Sequence, residues 1–302
     1  MRTADYTKKI TAMVTALFML ALVIFPERYI HSVSKGLNLY AVAVLPALFP
    51  FFFFTKVITS LGVTDNFRAL DKPMKLLFNS PPAGGYIFLM AILSGYPVGA
   101  KMTNDFYERG VITRTQAKII SAFTSTSGPL FIVGTVGISM FLSKEGGFIL
   151  LISHYLSALI NGLLYKNAKE KSEKTAEKVQ PKITLRSGNI LGDSITDSVL
   201  SVAIVGGYIA IFSMILDVLI DIKAIALLAK GIGIILPEEL SFGLISSLVE
   251  ITRGCKELSL SGMPLKFAIP AASFAITFGG LSVTLQSMTF LAKCKIHPAY
   301  YL

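Results

Sequence analysis

A chain of 302 residues that is 53% hydrophobic and only 15% charged falls well below the roughly 25% charge of a soluble domain, so this is an integral membrane protein. Its net charge of +10 does not point to nucleic acid, because the basic residues sit between apolar runs and not on one amphipathic surface; they read as topology determinants beside an anionic leaflet. Cys255 and Cys294 have no CxxC spacing and no nearby histidine, which argues against a disulfide framework or a zinc site, and no cofactor is expected.

Residues 10–25 are the first apolar run, and Lys8 and Lys9 ahead of it put the N-terminus on the cytoplasmic side. The run ends in Phe25-Pro26-Glu27-Arg28 with no small-residue cleavage pattern, so a retained helix is expected in place of a signal peptide. Residues 37–61 form the second span, kinked by Pro46 and Pro50. The loop at 65–75 carries Arg68, Lys72 and Lys75, which assigns it to the inside.

The apolar run at 86–93 is too short to cross a bilayer and leads into Ser94-Gly95-Tyr96-Pro97-Val98-Gly99-Ala100-Lys101. Proline removes a backbone donor and two glycines make a helix costly, so this stretch reads as a break. Non-helical backbone at membrane depth is tolerated mainly where it lines a cavity, and such a break points to a transporter's binding site. The alternative is a kinked structural helix in which Gly95 and Gly99 form a small-xxx-small contact. A crossing at 84–101 would put the later basic linker outside, so a re-entrant hairpin near 84–110 is preferred. Asp105 and Arg109, one turn apart in the polar stretch that follows, have the spacing of a surface ion pair.

Residues 119–142 are long enough to span, yet their middle reads Thr124-Ser125-Thr126-Ser127-Gly128-Pro129, a poor helix interior and a good unwound segment. Hydroxyls at such a break donate to an anion or offer oxygens to a cation; otherwise they bond back to their own helix or to a neighbour. Residues 147–164 form another span, on which His154 reads as a packed residue in preference to a ligand. The lysine-rich segment 166–189 is a cytoplasmic linker between a first membrane half (1–165) and a second (190–302).

In the second half, 195–220 spans with Asp217 and Asp221 at its non-cytoplasmic end, and 222–236 is too short and interrupted to be assigned a crossing. Residues 240–249 then run into Glu250-Ile251-Thr252-Arg253-Gly254-Cys255-Lys256, a second hairpin near 240–262. The last span, 265–291, is broken at Thr277-Phe278-Gly279-Gly280-Leu281-Ser282. The halves therefore rhyme: a short run, a polar tip ending in lysine, then a long helix interrupted by hydroxyls and glycine. Opposite insertion of the two hairpins would make this an inverted repeat, a plan common to secondary transporters. The expected fold is all-α and polytopic.

Glu250 and Arg253 are ionisable residues at membrane depth, where such groups are expensive and usually functional. Arg253 suits a carboxylate or phosphate, and Glu250 is expected either to balance it when the site is empty or to bind a coupling proton or cation. The candidate site thus comprises Gly95, Tyr96, Pro97, Gly99 and Lys101 from the first tip and Ser125, Thr126, Ser127 and Gly128 from the first broken helix. It takes Glu250, Thr252, Arg253 and Gly254 from the second tip and Thr277, Gly279, Gly280 and Ser282 from the second broken helix. A structural Glu–Arg pair is the competing account. No G-x-x-x-x-G-K-[ST] loop, HExxH or serine–histidine arrangement is present, so neither ATP coupling nor an enzyme is expected.

At 94–101, together with Ser127-Gly128-Pro129-Leu130-Phe131-Ile132-Val133-Gly134-Thr135-Val136-Gly137, the chain resembles the YlbJ-type sporulation integral membrane proteins. That group is similar to the spore dipicolinate transporter and to the wider nucleoside-recognition, or Gate, domain proteins. The resemblance implies movement of a small aromatic dicarboxylate or similar anion across a bacterial cell membrane, with a forespore membrane among the candidates. In that picture Tyr96 stacks on or caps the solute, residues 125–127 bind its oxygens, Arg253 supplies countercharge and Glu250 handles coupling. A nucleoside or other neutral-solute carrier, and a non-transporting sporulation scaffold, are the rival expectations. Whether the protein forms a homo-oligomer is left open.

Overall fold

The computed structural model describes residues 2–61, 70–167 and 189–296, and among them every regular element is helical. Three helices are long and apolar enough to cross a membrane, or up to five spans if each sharply bent pair counts as one. This is a polytopic all-α membrane protein.

Helix α1 (Arg2–Ile24) turns by 109° into α2 (Pro26–Leu39). A π-helical segment (Tyr40–Val44) carries α2 directly into α3 (Leu45–Ser60), so the helix that holds the expected second span already begins at residue 26. Pro26 sits where the first turn has no need of its N–H, which is why the helix restarts there. Residues 65–69 of the expected basic loop, Arg68 among them, lie outside the described residues, and Lys72 and Lys75 fall on α4 (Asp71–Phe78). Most of the expected 166–189 linker also lies outside them.

Two hairpins follow the sequence's breaks. The first joins α5 (Pro82–Ser94) to α6 (Val98–Glu108) through Gly95, Tyr96 and a cis Pro97. The second joins α11 (Glu238–Val249) to α12 (Ile251–Ser259) through Glu250 alone, whose backbone is extended. Each hairpin precedes a broken helix. In the first, α7 (Arg114–Thr124) stops, residues 125–129 are unwound, and a π-helical run (Leu130–Met140) continues. In the second, α13 (Leu265–Phe278) and α14 (Gly280–Phe290) meet at Gly279. Helix α8 (Lys144–Tyr165) returns after the first unit, and α9 (Ile190–Asp221) opens the second. The nine residues of α10 (Ala224–Ile232) reach about 14 Å, half of what a crossing needs.

The two units run in opposite directions. Arg114, at the start of the first broken helix, donates to the carbonyls of Cys294 and Lys295, just past the end of the second. Hairpin placement on α9 agrees. On α6, Lys101 pairs with Asp197 at 2.9 Å near the linker end of α9; on α12, Arg253 pairs with Asp217 at 2.9 Å near its far end. Between residues 197 and 217 an α-helix rises about 30 Å, the thickness of the hydrocarbon core. The hairpins are therefore fastened to opposite ends of one membrane-length strut.

Glycines set the closest approaches. A Cβ on Gly95 would come within 2.5 Å of the Gly128 backbone nitrogen, and one on Gly280, whose φ is +70°, within 2.5 Å of the Ser247 carbonyl oxygen. In both units, then, the backbone of the broken helix lies directly against its own hairpin near the tip.

Candidate solute-binding site

The hairpin tips and broken helices line a cavity of about 80 Å³, smaller than the usual small-ligand site. Gly95 and Tyr96 come from the first tip, Ser127, Gly128, Leu130 and Phe131 from the first broken helix, Glu250, Ile251 and Thr252 from the second tip, and Ser282, Val283 and Gln286 from α14. Ala43 and Val44 of the first π segment and Leu48 and Phe51 of α3 close another wall. Val205 and Ile209 of α9 complete it, about midway between Asp197 and Asp217. The cavity therefore lies near the middle of the membrane. Both π-helical segments border it, as such segments often do at functional sites.

The breaks free backbone groups that other side chains satisfy. The Tyr96 hydroxyl donates to the Ile276 carbonyl at 2.8 Å, so it is committed to α13 and only the rest of the residue is offered to a solute. Tyr155 donates to the Ile92 carbonyl and Asn161 to that of Ala122, at the ends of α5 and α7. Buried His154 accepts the Ser127 backbone N–H at Nε2 (2.8 Å), which leaves Nδ1 to face the Thr277 hydroxyl at 3.3 Å. One imidazole thus bridges the two broken helices, a role its place within an apolar helix did not reveal.

Glu250 is 1% exposed, and its Oε2 accepts the Arg253 backbone N–H at 2.8 Å, capping α12. The Arg253 guanidinium turns instead to Asp217, with Glu257 at 4.0 Å. Arg253, expected to supply the solute's countercharge with Glu250 as one candidate to balance it in the empty site, is thus paired with Asp217 instead. Arg253 does not line the cavity. Neither does Lys101, which bonds Asp197 and lies 3.3 Å from Asp105, with Lys56 joining Asp197 at 3.0 Å. Both basic side chains sit one turn beyond their tips, on the face toward α9. Asp105 is consequently not paired with Arg109, which donates to the Thr59 carbonyl.

Of the residues expected from sequence, Gly95, Tyr96, Ser127, Gly128, Glu250, Thr252 and Ser282 face the cavity. Pro97, Gly99, Ser125, Thr126, Gly254, Thr277, Gly279 and Gly280 are not part of its wall and shape the breaks around it. Gly99 abuts the Thr124 carbonyl and Gly254 abuts Ser247, contacts that any side chain would obstruct. Ser94, the first residue of the 94–101 break, and Gln286, a single polar residue inside an apolar helix, also line the wall though neither was among the expected site residues.

No positively charged side chain lines the cavity among the described residues, but helix N-termini do. The first turns of α12, of α14 and of the π run from Leu130 all contribute wall residues. Their partial positive charge favours an anionic group, with Glu250 offsetting part of it.

No family model and no solved structure matches the chain. It is similar to the sporulation integral membrane protein YlbJ of Bacillus subtilis (strain 168), at 32% identity over 305 aligned residues that take in 93% of this chain and 75% of that protein. With its multi-pass helical architecture, the chain belongs to the YlbJ family of sporulation integral membrane proteins.

Proposed function

We propose that this protein is a secondary transporter carrying a small organic acid of the dipicolinate type across a bacterial membrane during sporulation, by alternating access at the central cavity. One observation carries the reading: two hairpin tips and two interrupted helices, from oppositely directed units, converge on one cavity midway along α9. The walls are largely apolar, which suits a planar ring, while the three helix N-termini suit its acidic groups. Glu250 is the ionisable group on the solute's path and is the candidate to exchange a coupling proton. Rocking of one unit against the other would expose the cavity to each side in turn.

Flux of pyridine-2,6-dicarboxylate into proteoliposomes tests this. Saturable uptake inhibited by related dicarboxylates is expected, and no flux of any acid counts against it.

A neutral solute such as a nucleoside is the second reading, favoured by the lack of any lysine or arginine in the wall. Competition by uridine, with none by dicarboxylates, would select it.

A further inference from the structure

One buried polar side chain in the cavity wall, Ser94, has no hydrogen-bond partner among the described residues, and Ser282 and Gln286 share that wall. Ser94 is 7% exposed and its hydroxyl is unpartnered. Ser282 is 1% and Gln286 3% exposed, one helical turn apart on α14, and both line the same wall. Around the breaks Tyr96, Tyr155, Asn161 and His154 are hydrogen-bonded, whereas the Thr126 hydroxyl, outside the cavity wall, also lacks a partner. Leaving the buried Ser94 hydroxyl without a partner costs stability that a bound solute can restore.

We propose that Ser94, Ser282 and Gln286 determine specificity by reading a planar carboxylic acid or carboxamide edge of the solute. The Gln286 carboxamide offers a donor and an acceptor side by side, the complement of such an edge. The hydroxyls of Ser94 and Ser282 each donate one bond and accept others. Ser94 belongs to the first unit, whereas Ser282 and Gln286 belong to the second, so a bound solute bridges the two. A site built to hydrogen-bond a group discriminates sharply against analogues that lack it, because its own polar atoms are then left unpaired. This assignment rests on the cavity being the transport site.

Binding to the purified full chain in detergent, measured with pyridine-2,6-dicarboxylate and pyridine-2,6-dicarboxamide, tests it. Gln286→Leu should weaken both probes by about tenfold or more, the loss of one or two buried hydrogen bonds. Ser94→Ala, a smaller change that preserves folding, should weaken them several-fold. Gln286→Glu should shift the ratio of the two affinities toward the diamide by about tenfold, since a second carboxylate repels the diacid; a purely structural role would leave that ratio unmoved. Affinities within twofold of wild type in Ser94→Ala and Gln286→Leu, with an unmoved ratio in Gln286→Glu, overturn the assignment, as does failure of the wild-type protein to bind either probe. Val205→Trp separates the two levels. If it abolishes binding while the three polar variants do not, the cavity stands and the assignment of its readers falls; if it has no effect, the cavity reading itself fails.

Discussion

Asp197 and Asp217 lie on the same helix, about 30 Å apart along its axis, and each holds the second arm of a different hairpin through a basic residue one turn beyond the tip. The correspondence extends to a second acid four residues further on: Asp105 follows Lys101 and Glu257 follows Arg253. Such matched fastenings at opposite ends of α9 suit the proposed alternating access, in which opening toward one side would loosen one of them and leave the other closed.

Weakening the far-side fastening should therefore bias the protein toward that side. In a background with Cys255 and Cys294 replaced by alanine, a cysteine at Val205 reports access to the cavity. Asp217→Asn should raise its labelling by a membrane-impermeant maleimide from the far side by about tenfold, the effect of losing a charged hydrogen bond of about 1.5 kcal/mol. The swap Asp217→Arg with Arg253→Asp should restore the wild-type rate. Equal labelling in all three variants contradicts the coupling.

The close backbone contact at Gly254 predicts a sharp contrast between glycines. Gly254→Ala drives a methyl into Ser247 and should cost about 1–3 kcal/mol, or prevent folding, read as a lower melting temperature in detergent. Gly207→Ala meets nothing within 4 Å on an exposed helical face and should be neutral or slightly stabilising. Similar losses at the two positions would show that the second hairpin is not packed as described.

His154 should act through its two bonds and not by its size. His154→Phe fills the space but strands the Ser127 N–H, a cost of about 1–3 kcal/mol with a matching fall in transport. His154→Gln keeps an acceptor and should recover part of both. Wild-type stability in His154→Phe would remove the bridge between the broken helices.

Much of this architecture was legible because proline and glycine act locally. The first hairpin and both broken helices are interrupted at Gly95-Tyr96-Pro97, Ser127-Gly128-Pro129 and Gly279-Gly280, where chain stiffness and lost donors act, whereas the second hairpin turns at Glu250 with neither residue type. What the sequence hid was pairing over distance. Arg253 looked like a partner of nearby Glu250 because Asp217 lies 36 positions away, and Lys101 looked like a tip residue because Asp197 lies 96 away. Helix α2 was missed because residues 26–39 mix charged and apolar side chains, a pattern explained only by its burial against α9 along one stripe at Tyr29, Ser32 and Gly36. Ser94 and Gln286 acquire meaning only when the cavity brings α5 and α14 together.

The most direct measurement of the central claim is the flux of pyridine-2,6-dicarboxylate in proteoliposomes holding the wild-type chain or Val205→Trp, whose indole would fill the cavity at mid-membrane. Saturable flux in the wild type that is lost in Val205→Trp, with helical content and melting temperature unchanged, is the predicted result. Equal flux in both would contradict a solute path through the meeting point of the two units.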